Sequence, residues 1–303
     1  MRGVVVKGLG GLYEVLTENG RITCRARGTL KRDEEKVLIG DRVELESPDG
    51  ECVIAKVEPR KNALIRPPIA NLDSLYCVIA AVRPAPALET LDKLLAIAEN
   101  RSIRAALVVT KTDDDPILAE QYADVYRLVG YPVFLVSSVS GEGIDELKAD
   151  LSAQLASGGT AVFAGASGVG KSTLLNRLLP GVSLETGEIS RRVERGRHTT
   201  RHVELFPEGG GFVADTPGFS MLDFARFDFF SLSELFDAFP EFAAYRGKCR
   251  YADCTHTGEG PDECAVARAV LDGVIPRSRH DSYRALFATL KSKPDWLKTE
   301  RNP

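Results

Sequence analysis

The sequence predicts an α/β protein in three parts: a small β-barrel at 1–66, a layered α/β domain at 67–220 and a helical, cysteine-bearing module at 221–303. Three observations predict it. Residues 1–66 carry short alternating or apolar runs separated by turn signals. From Asp73 on, apolar strand-like runs alternate with stretches of helical spacing, the pattern of a mostly parallel sheet with helices on both faces. After Gly218 the chain turns helical and aromatic, and three of its six cysteines fall between Cys249 and Cys264.

The barrel strands are expected at Val4–Val6, Tyr13–Leu16, Ile22–Ala26, Arg42–Leu45 and Cys52–Val57. Gly10-Gly11, Glu18-Asn19-Gly20 and Ser47-Pro48-Asp49-Gly50 punctuate them. Five strands in this length suit a Greek-key barrel such as the OB-fold. Arg25, Arg27, Lys31, Arg32 and Lys36 allow two readings of similar weight: an RNA-binding face, or solvated charge balanced by Asp and Glu. Arg60 to Pro68 reads as a linker, because Pro67-Pro68 ends regular structure.

In the α/β part, strands are expected at Leu75–Val82, Ala105–Thr110, Val133–Val136, Ala161–Ala164, Val203–Phe206 and Gly211–Ala214. Helices are expected at Leu91–Ala98, Ile117–Leu128, Ile144–Leu155 and Ser172–Leu179, the first from apolar residues at i, i+3, i+4 and i+7. Toward the C-terminus, Ser231–Phe239 and Ala265–Leu271 read as helices. A last helix starts at Ser278, with Tyr283, Leu286, Phe287 and Leu290 on one face, and residues 294–303 read as frayed.

Bulk properties exclude several classes. Net charge is −4 with 44% hydrophobic and 27% charged residues, so the chain is no histone-like polycation. No apolar run approaches the roughly 20 residues that span a bilayer. The start Met1-Arg-Gly-Val lacks a signal peptide's apolar segment. The expected compartment is the cytoplasm, with no membrane partner, and nothing suggests more than a monomer. Cys24, Cys52 and Cys77 lie scattered on strand-like runs and read as small buried hydrophobes.

The chemistry begins at Gly165-Ala166-Ser167-Gly168-Val169-Gly170-Lys171-Ser172, which fits G-x-x-x-x-G-K-S between a strand and a helix start. Glycines let backbone N–H groups turn inward around a phosphate, and the helix dipole adds positive potential. Lys171 is placed to reach the β- and γ-phosphates, Ser172 to ligate Mg²⁺, and Thr173 completes the loop.

Thr110-Lys111-Thr112-Asp113 ends a buried strand. Such a motif recognises guanine, since a carboxylate accepts from guanine N1–H and the N2 amine and adenine offers neither. Thr110 stands where Asn is usual, keeping a hydroxyl but losing the amide. Ser137-Ser138-Val139-Ser140-Gly141 also follows a strand and resembles a loop that caps guanine O6, although Ser140 is equally a helix cap. Asp215-Thr216-Pro217-Gly218 follows the last strand. There Asp215 would hold Mg²⁺ through water and the Gly218 N–H would meet the γ-phosphate. Phe219 stands where Ras-like enzymes place a water-orienting Gln.

Between these lies an arginine-rich polar segment, Ser183–His202, with Gly196-Arg-His198-Thr199-Thr200. Thr200 is the expected ligand of Mg²⁺ and γ-phosphate, with Thr199 second. His198 either positions the attacking water or is an ordinary loop residue. The motif order, guanine loop, serine loop, phosphate loop, switch threonine, Asp215, is a circular permutation of the usual one. A module attached after Gly218 is therefore placed to sense the γ-phosphate.

That module contains Cys249-x4-Cys254-x-His256-x7-Cys264. Three thiolates and an imidazole suit tetrahedral zinc, and four protein ligands make the site structural.

The permuted order, the OB-like barrel, Arg66-Pro-Pro-Ile-Ala-Asn71-Leu-Asp73, Gly196-Arg-His-Thr-Thr and the Cys/Cys/His/Cys cluster together resemble the ribosome small-subunit-dependent GTPase A (RsgA) family over nearly the whole chain. The resemblance implies a GTPase using GTP/GDP, Mg²⁺ and one structural Zn²⁺. It also implies binding to the small ribosomal subunit late in its maturation, rRNA contacts from the barrel, and hydrolysis stimulated by the subunit. The motifs by themselves support a permuted P-loop GTPase with two added modules. An ATPase or phosphotransferase on the same loop, and a nucleotide-switched RNA-binding adaptor with another partner, are the rival readings.

Overall fold

The barrel forms where the alternating runs fall. In the computed structural model, which describes residues 1–27, 36–65, 67–179, 203–215 and 229–293, β1 is Arg2–Leu9, β2 Leu12–Thr17, β3 Gly20–Ala26, β4 Arg42–Glu46 and β5 Val53–Val57. They close in the order β1-β2-β3-β5-β4, with β1 antiparallel to both β2 and β4 and β3 parallel to β5. Val5, Val15, Val43 and Ile54 have no exposed surface; a register shift in β1 between Val5 and Lys7 accompanies burial of the consecutive Val5 and Val6. The expected five-stranded barrel is present.

The linker is more ordered than its prolines suggest. Ala63–Leu64 (β6) and Ile69–Ala70 (β7) form a short antiparallel pair. Pro67 and Pro68 lie in the connection between them, where no ladder N–H is needed.

The remaining strands are β8 Ser74–Ala80, β9 Arg104–Thr110, β10 Val133–Val136, β11 Thr160–Gly165, β12 Glu204–Glu208 and β13 Gly211–Asp215. Among the described residues the α-helices are α1 Leu88–Asn100, α2 Pro116–Leu128, α3 Ile144–Leu155, α4 Lys171–Leu178, α5 Ala265–Leu271 and α6 Arg277–Lys291. Every strand expected here is found within two residues, and α1 runs longer than its apolar stripe.

The described residues pack as two compact units. One takes Met1–Leu75 and Asp145–Phe219. In it β11 runs parallel to β13, with Phe163 level with Asp215, and β12 returns antiparallel beside β13. β11 is buried along its whole length, as a strand covered on both faces must be. The other takes Tyr76–Ile144 and Ser220–Pro303. There β10, β9 and β8 are neighbours in that order, and β10 runs parallel to β9.

One expected helix is different. Ser231–Phe239 is not an α-helix: Leu232–Glu234 is a single 3-10 turn, and a second 3-10 segment spans Pro240–Tyr245. A capping box between Ser231 and Glu234 starts the turn. Pro240 then keeps Phe239 out of the helical region, at φ −120° and ψ 88°. Phe239 and Phe242 are buried all the same, so the apolar spacing was a packing signal rather than a helical one.

Candidate functional site: the phosphate loop, the guanine-side loops and a cysteine–histidine cluster

The phosphate loop leaves β11 at Gly165 and enters α4 at Lys171. Gly168 and Gly170 take positive φ, 83° and 95°, a conformation that costs any residue with a Cβ. Gly170 is the left-handed cap of α4. Lys171 is only 9% exposed. Its ammonium donates to the C=O of Gly165 at 2.7 Å and of Ala166 at 3.0 Å. The cation is thus tied to the loop's own carbonyls and spans its base. Ala166, Ser167 and Gly168 are exposed, Val169 is buried, Ser172 is half-buried and Thr173 exposed. Leu174, Leu175 and Leu178 bury the opposite side of α4. Ala166, Ser167 and Gly168 therefore form the accessible side of the loop.

On the guanine side, Thr110 ends β9 with 2% exposure. Its hydroxyl donates to the Ile79 C=O at 3.0 Å, a bond to the neighbouring strand. Lys111 is held at φ +56°, and its ammonium donates to the Arg83 C=O at 2.6 Å. The cap of α2 is Asp115, whose carboxylate accepts from the Leu118 N–H. Asp113 is therefore not the helix cap, and it is exposed.

The serine loop is organised by Ser137, fully buried at the end of β10. Its hydroxyl accepts from the N–H groups of Val139 and Ser140, and its backbone closes a turn with Gly141 and Glu142. Ser138 is half-buried. Gly143 takes φ +71°, and a Cβ there would stand 1.9 Å from the Leu135 C=O. Only glycine lets this loop fold back onto β10.

Asp215 is the last residue of β13, level with Phe163 and Glu204. His198, Thr199, Thr200, Gly218 and Phe219 lie outside the described residues, as do Lys31, Arg32 and residues 294–303. Of the described basic residues on the barrel, Arg27 pairs with Glu46 at 2.6 Å, while Arg25 and Lys36 are exposed.

Cys249, Cys254, His256 and Cys264 converge, with ligand atoms all within 4.8 Å of one another. His256 Nδ1 lies 3.5, 3.5 and 3.3 Å from the Sγ of Cys249, Cys254 and Cys264. Cys249 and Cys264 Sγ are 3.9 Å apart. A tetrahedral zinc with Zn–S of about 2.3 Å and Zn–N of about 2.0 Å has S···S edges of about 3.8 Å and S···N edges of about 3.5 Å. The donor set fits that ion. Burial holds His256 below the ordinary imidazole range, so the ring is neutral, the form that ligates. Burial pushes the thiols of Cys254 and Cys264 up, and Cys249 adds to the rise in both.

The surroundings hold this loop in place. The N–H groups of Ala265 and Ala267 donate to the Sγ of Cys249 and Cys264. Three residues on one face of α6 bind the loop's carbonyls: His280 to His256, Tyr283 to Thr255 and Arg284 to Thr257. The Glu259 carboxylate accepts from the N–H groups of Thr255, Thr257 and Gly258. These supports escaped sequence reasoning. The spacing 280, 283, 284 is legible as one helical face, but it does not reveal that the face meets backbone.

Comparison with known proteins bears on both units. The model of the RsgA GTPase matches residues 57–225, and that of the RsgA N-terminal domain matches residues 2–54. The chain belongs to the RsgA GTPase family. It is 42% identical over 296 residues to the small ribosomal subunit biogenesis GTPase RsgA of Geobacillus thermodenitrificans, covering 96% of this chain and 98% of that one. To the RsgA of Moorella thermoacetica it is 43% identical over 294 residues, with coverage of 95% and 97%. Among solved structures, YjeQ from Thermotoga maritima superposes with a TM-score of 0.78 at 35% identity, covering 97% and 99% of the two chains. YloQ, described as a circularly permuted GTPase, superposes at 0.74 with 36% identity and coverage of 97% and 96%. As an RsgA GTPase, the chain is a GTP hydrolase.

Proposed function

We infer that this GTPase acts in the biogenesis of the small ribosomal subunit, binding the particle and having its hydrolysis stimulated by it. The observation that carries the reading is the match to RsgA relatives along almost the entire chain, barrel and cysteine cluster included. A phosphate loop alone would be shared with many unrelated enzymes.

The residues divide the work as follows. Backbone N–H groups of Gly165–Ser172 surround the phosphates, and Lys171 exchanges its loop carbonyls for the β- and γ-phosphate oxygens. Asp113 selects guanine through its carboxylate, Lys111 packs along the base, and the Ser137–Ser138 loop caps O6. Thr110 braces the guanine loop against β8. Ser172 and Thr200 would ligate Mg²⁺, with Asp215 acting through water. The ion, when bound, neutralises charge developing on the β- and γ-oxygens. The Gly218 N–H contacts the γ-phosphate. Contact between Thr200 and the γ-phosphate sets affinity for the subunit. His198, or a group from the subunit, positions the attacking water, because Phe219 has no hydrogen-bonding group. Cys249, Cys254, His256 and Cys264 would hold one zinc as a structural centre.

The working division is barrel at 1–66, nucleotide domain at 67–220 and zinc module at 221–303, with rRNA contacts from the barrel. The protein acts as a cytoplasmic monomer.

The test is sedimentation with purified small subunits in three states: no nucleotide, GDP and a non-hydrolysable GTP analogue. Co-sedimentation is expected with the analogue and release with GDP. Equal binding in all three states would overturn the nucleotide-switched part of the reading, and no binding in any state would remove the ribosomal partner.

A further inference from the structure

Two of the cysteines outside the zinc cluster are not the independent buried hydrophobes that the sequence suggests. β3 and β5 pair in parallel with Arg25 opposite Val53. One step back in that register brings Cys24 opposite Cys52, and their sulfurs stand 3.3 Å apart. Both are thiols. They differ in access: Cys24 is 2% exposed, whereas Cys52 is half-buried and precedes β5.

We propose that Cys24 and Cys52 form a reversible dithiol–disulfide pair in the barrel wall, oxidised by hydrogen peroxide and reset by dithiol reductants. The half-buried Cys52 is the sulfur that peroxide reaches. Its sulfur attacks one peroxide oxygen: an S–O bond forms, the O–O bond breaks, and the hydroxide released leaves as water with the thiol proton. Cys24 then attacks the sulfenic sulfur. The S–S bond forms, the S–O bond breaks, and the hydroxyl leaves with the Cys24 proton as a second water. Two thiols are oxidised and one peroxide is reduced to two waters.

The geometry favours the second step over further oxidation. The sulfurs need only close from 3.3 Å to a bond of about 2.05 Å, by side-chain rotation on strands already held in register. Burial, reinforced by Cys52, pushes the Cys24 thiol up to about 12. Cys24 is therefore kept as S–H and acts as the resolving partner rather than the first target. The link would tie the β3–β5 seam, which has two paired positions against six between β2 and β3. A tie there reinforces the weakest join in the closed barrel.

The test uses the full-length, zinc-loaded protein. It is reduced, exposed to hydrogen peroxide, quenched, alkylated with N-ethylmaleimide and digested with trypsin without reductant. The expected product joins the peptide Ile22–Arg25 to the peptide Val43–Lys56, lighter by two hydrogens than the two free peptides together, and disappears with dithiothreitol. Cys24→Ser and Cys52→Ser each abolish it. Oxidised protein should also melt about 4 °C or more above reduced protein, a shift absent in Cys52→Ser. Full alkylation of both cysteines after peroxide, or Cys52 sulfinic acid without the cross-link, would overturn the proposal.

Discussion

Arg279 on α6 and Asp92 on α1 form an ion pair of 2.7 Å across 187 positions of chain, with 0% and 1% of their side chains exposed. The guanidinium also binds both carboxylate oxygens of Glu241 and lies over the Phe239 ring at 4.7 Å. Tyr126 adds its hydroxyl to Asp92. Helices of the nucleotide-side segment and of the C-terminal module thus share one buried charge cluster inside the second unit. Burial pushes Asp92 upward, and Arg279 is the largest of the influences that oppose it.

Removing Arg279 strands two buried carboxylates. Arg279→Met should therefore cost about 3–5 kcal/mol of stability, read as a lower denaturant midpoint of the unit that contains it. A loss below about 1 kcal/mol would mean that water reaches Asp92 and Glu241 and that the pair is not a structural pin.

The cysteine–histidine geometry predicts metal content. Elemental analysis of protein purified without chelator should find about one zinc per chain, and Cys254→Ala should bring it to near zero. Zinc retained in full by that variant would contradict the four-ligand set.

Glu259 gives the cysteine–histidine loop a pH signature. Burial raises its carboxyl, but the N–H groups of Thr255 and Gly258 and the Thr255 hydroxyl outweigh that and hold it at about 2, against 4.5 when free. The folded value is depressed, so the stabilisation is complete above about pH 4.5 and is lost as pH falls toward 2. The stability difference between the wild type and Glu259→Gln should be full at neutral pH and shrink across that window. A difference that did not change with pH would mean that the N–H groups are satisfied equally well by the neutral amide.

Much of this was legible in sequence because it rests on local rules. The strands β9 and β10 announced themselves as apolar runs. The phosphate loop lies between strand and helix as its glycines require, and the four residues of the cysteine–histidine cluster fall within one short loop. What was not legible depends on partners far apart in sequence. Nothing in the local sequence around Arg279 marks it as buried; its partners Asp92 and Glu241 lie far away in the chain. Cys24 and Cys52 read as unrelated until β3 and β5 fix their register. The segment Ser231–Phe239 misled because buried apolar residues at helical spacing, Leu235, Ala238 and Phe239, also suit a chain of short 3-10 segments packed on α6, as the Phe239–Tyr283 and Phe242–Tyr283 contacts at 5.3 and 4.8 Å show.

The most direct test of the account is GTP turnover by the purified protein, alone and with isolated small ribosomal subunits, with ATP run in parallel. Slow GTP turnover alone, strong stimulation by the subunits and no stimulated ATP turnover are expected. GTP turnover unchanged by subunits would contradict the ribosomal part, and ATP hydrolysed as well as GTP would contradict guanine selection by Asp113.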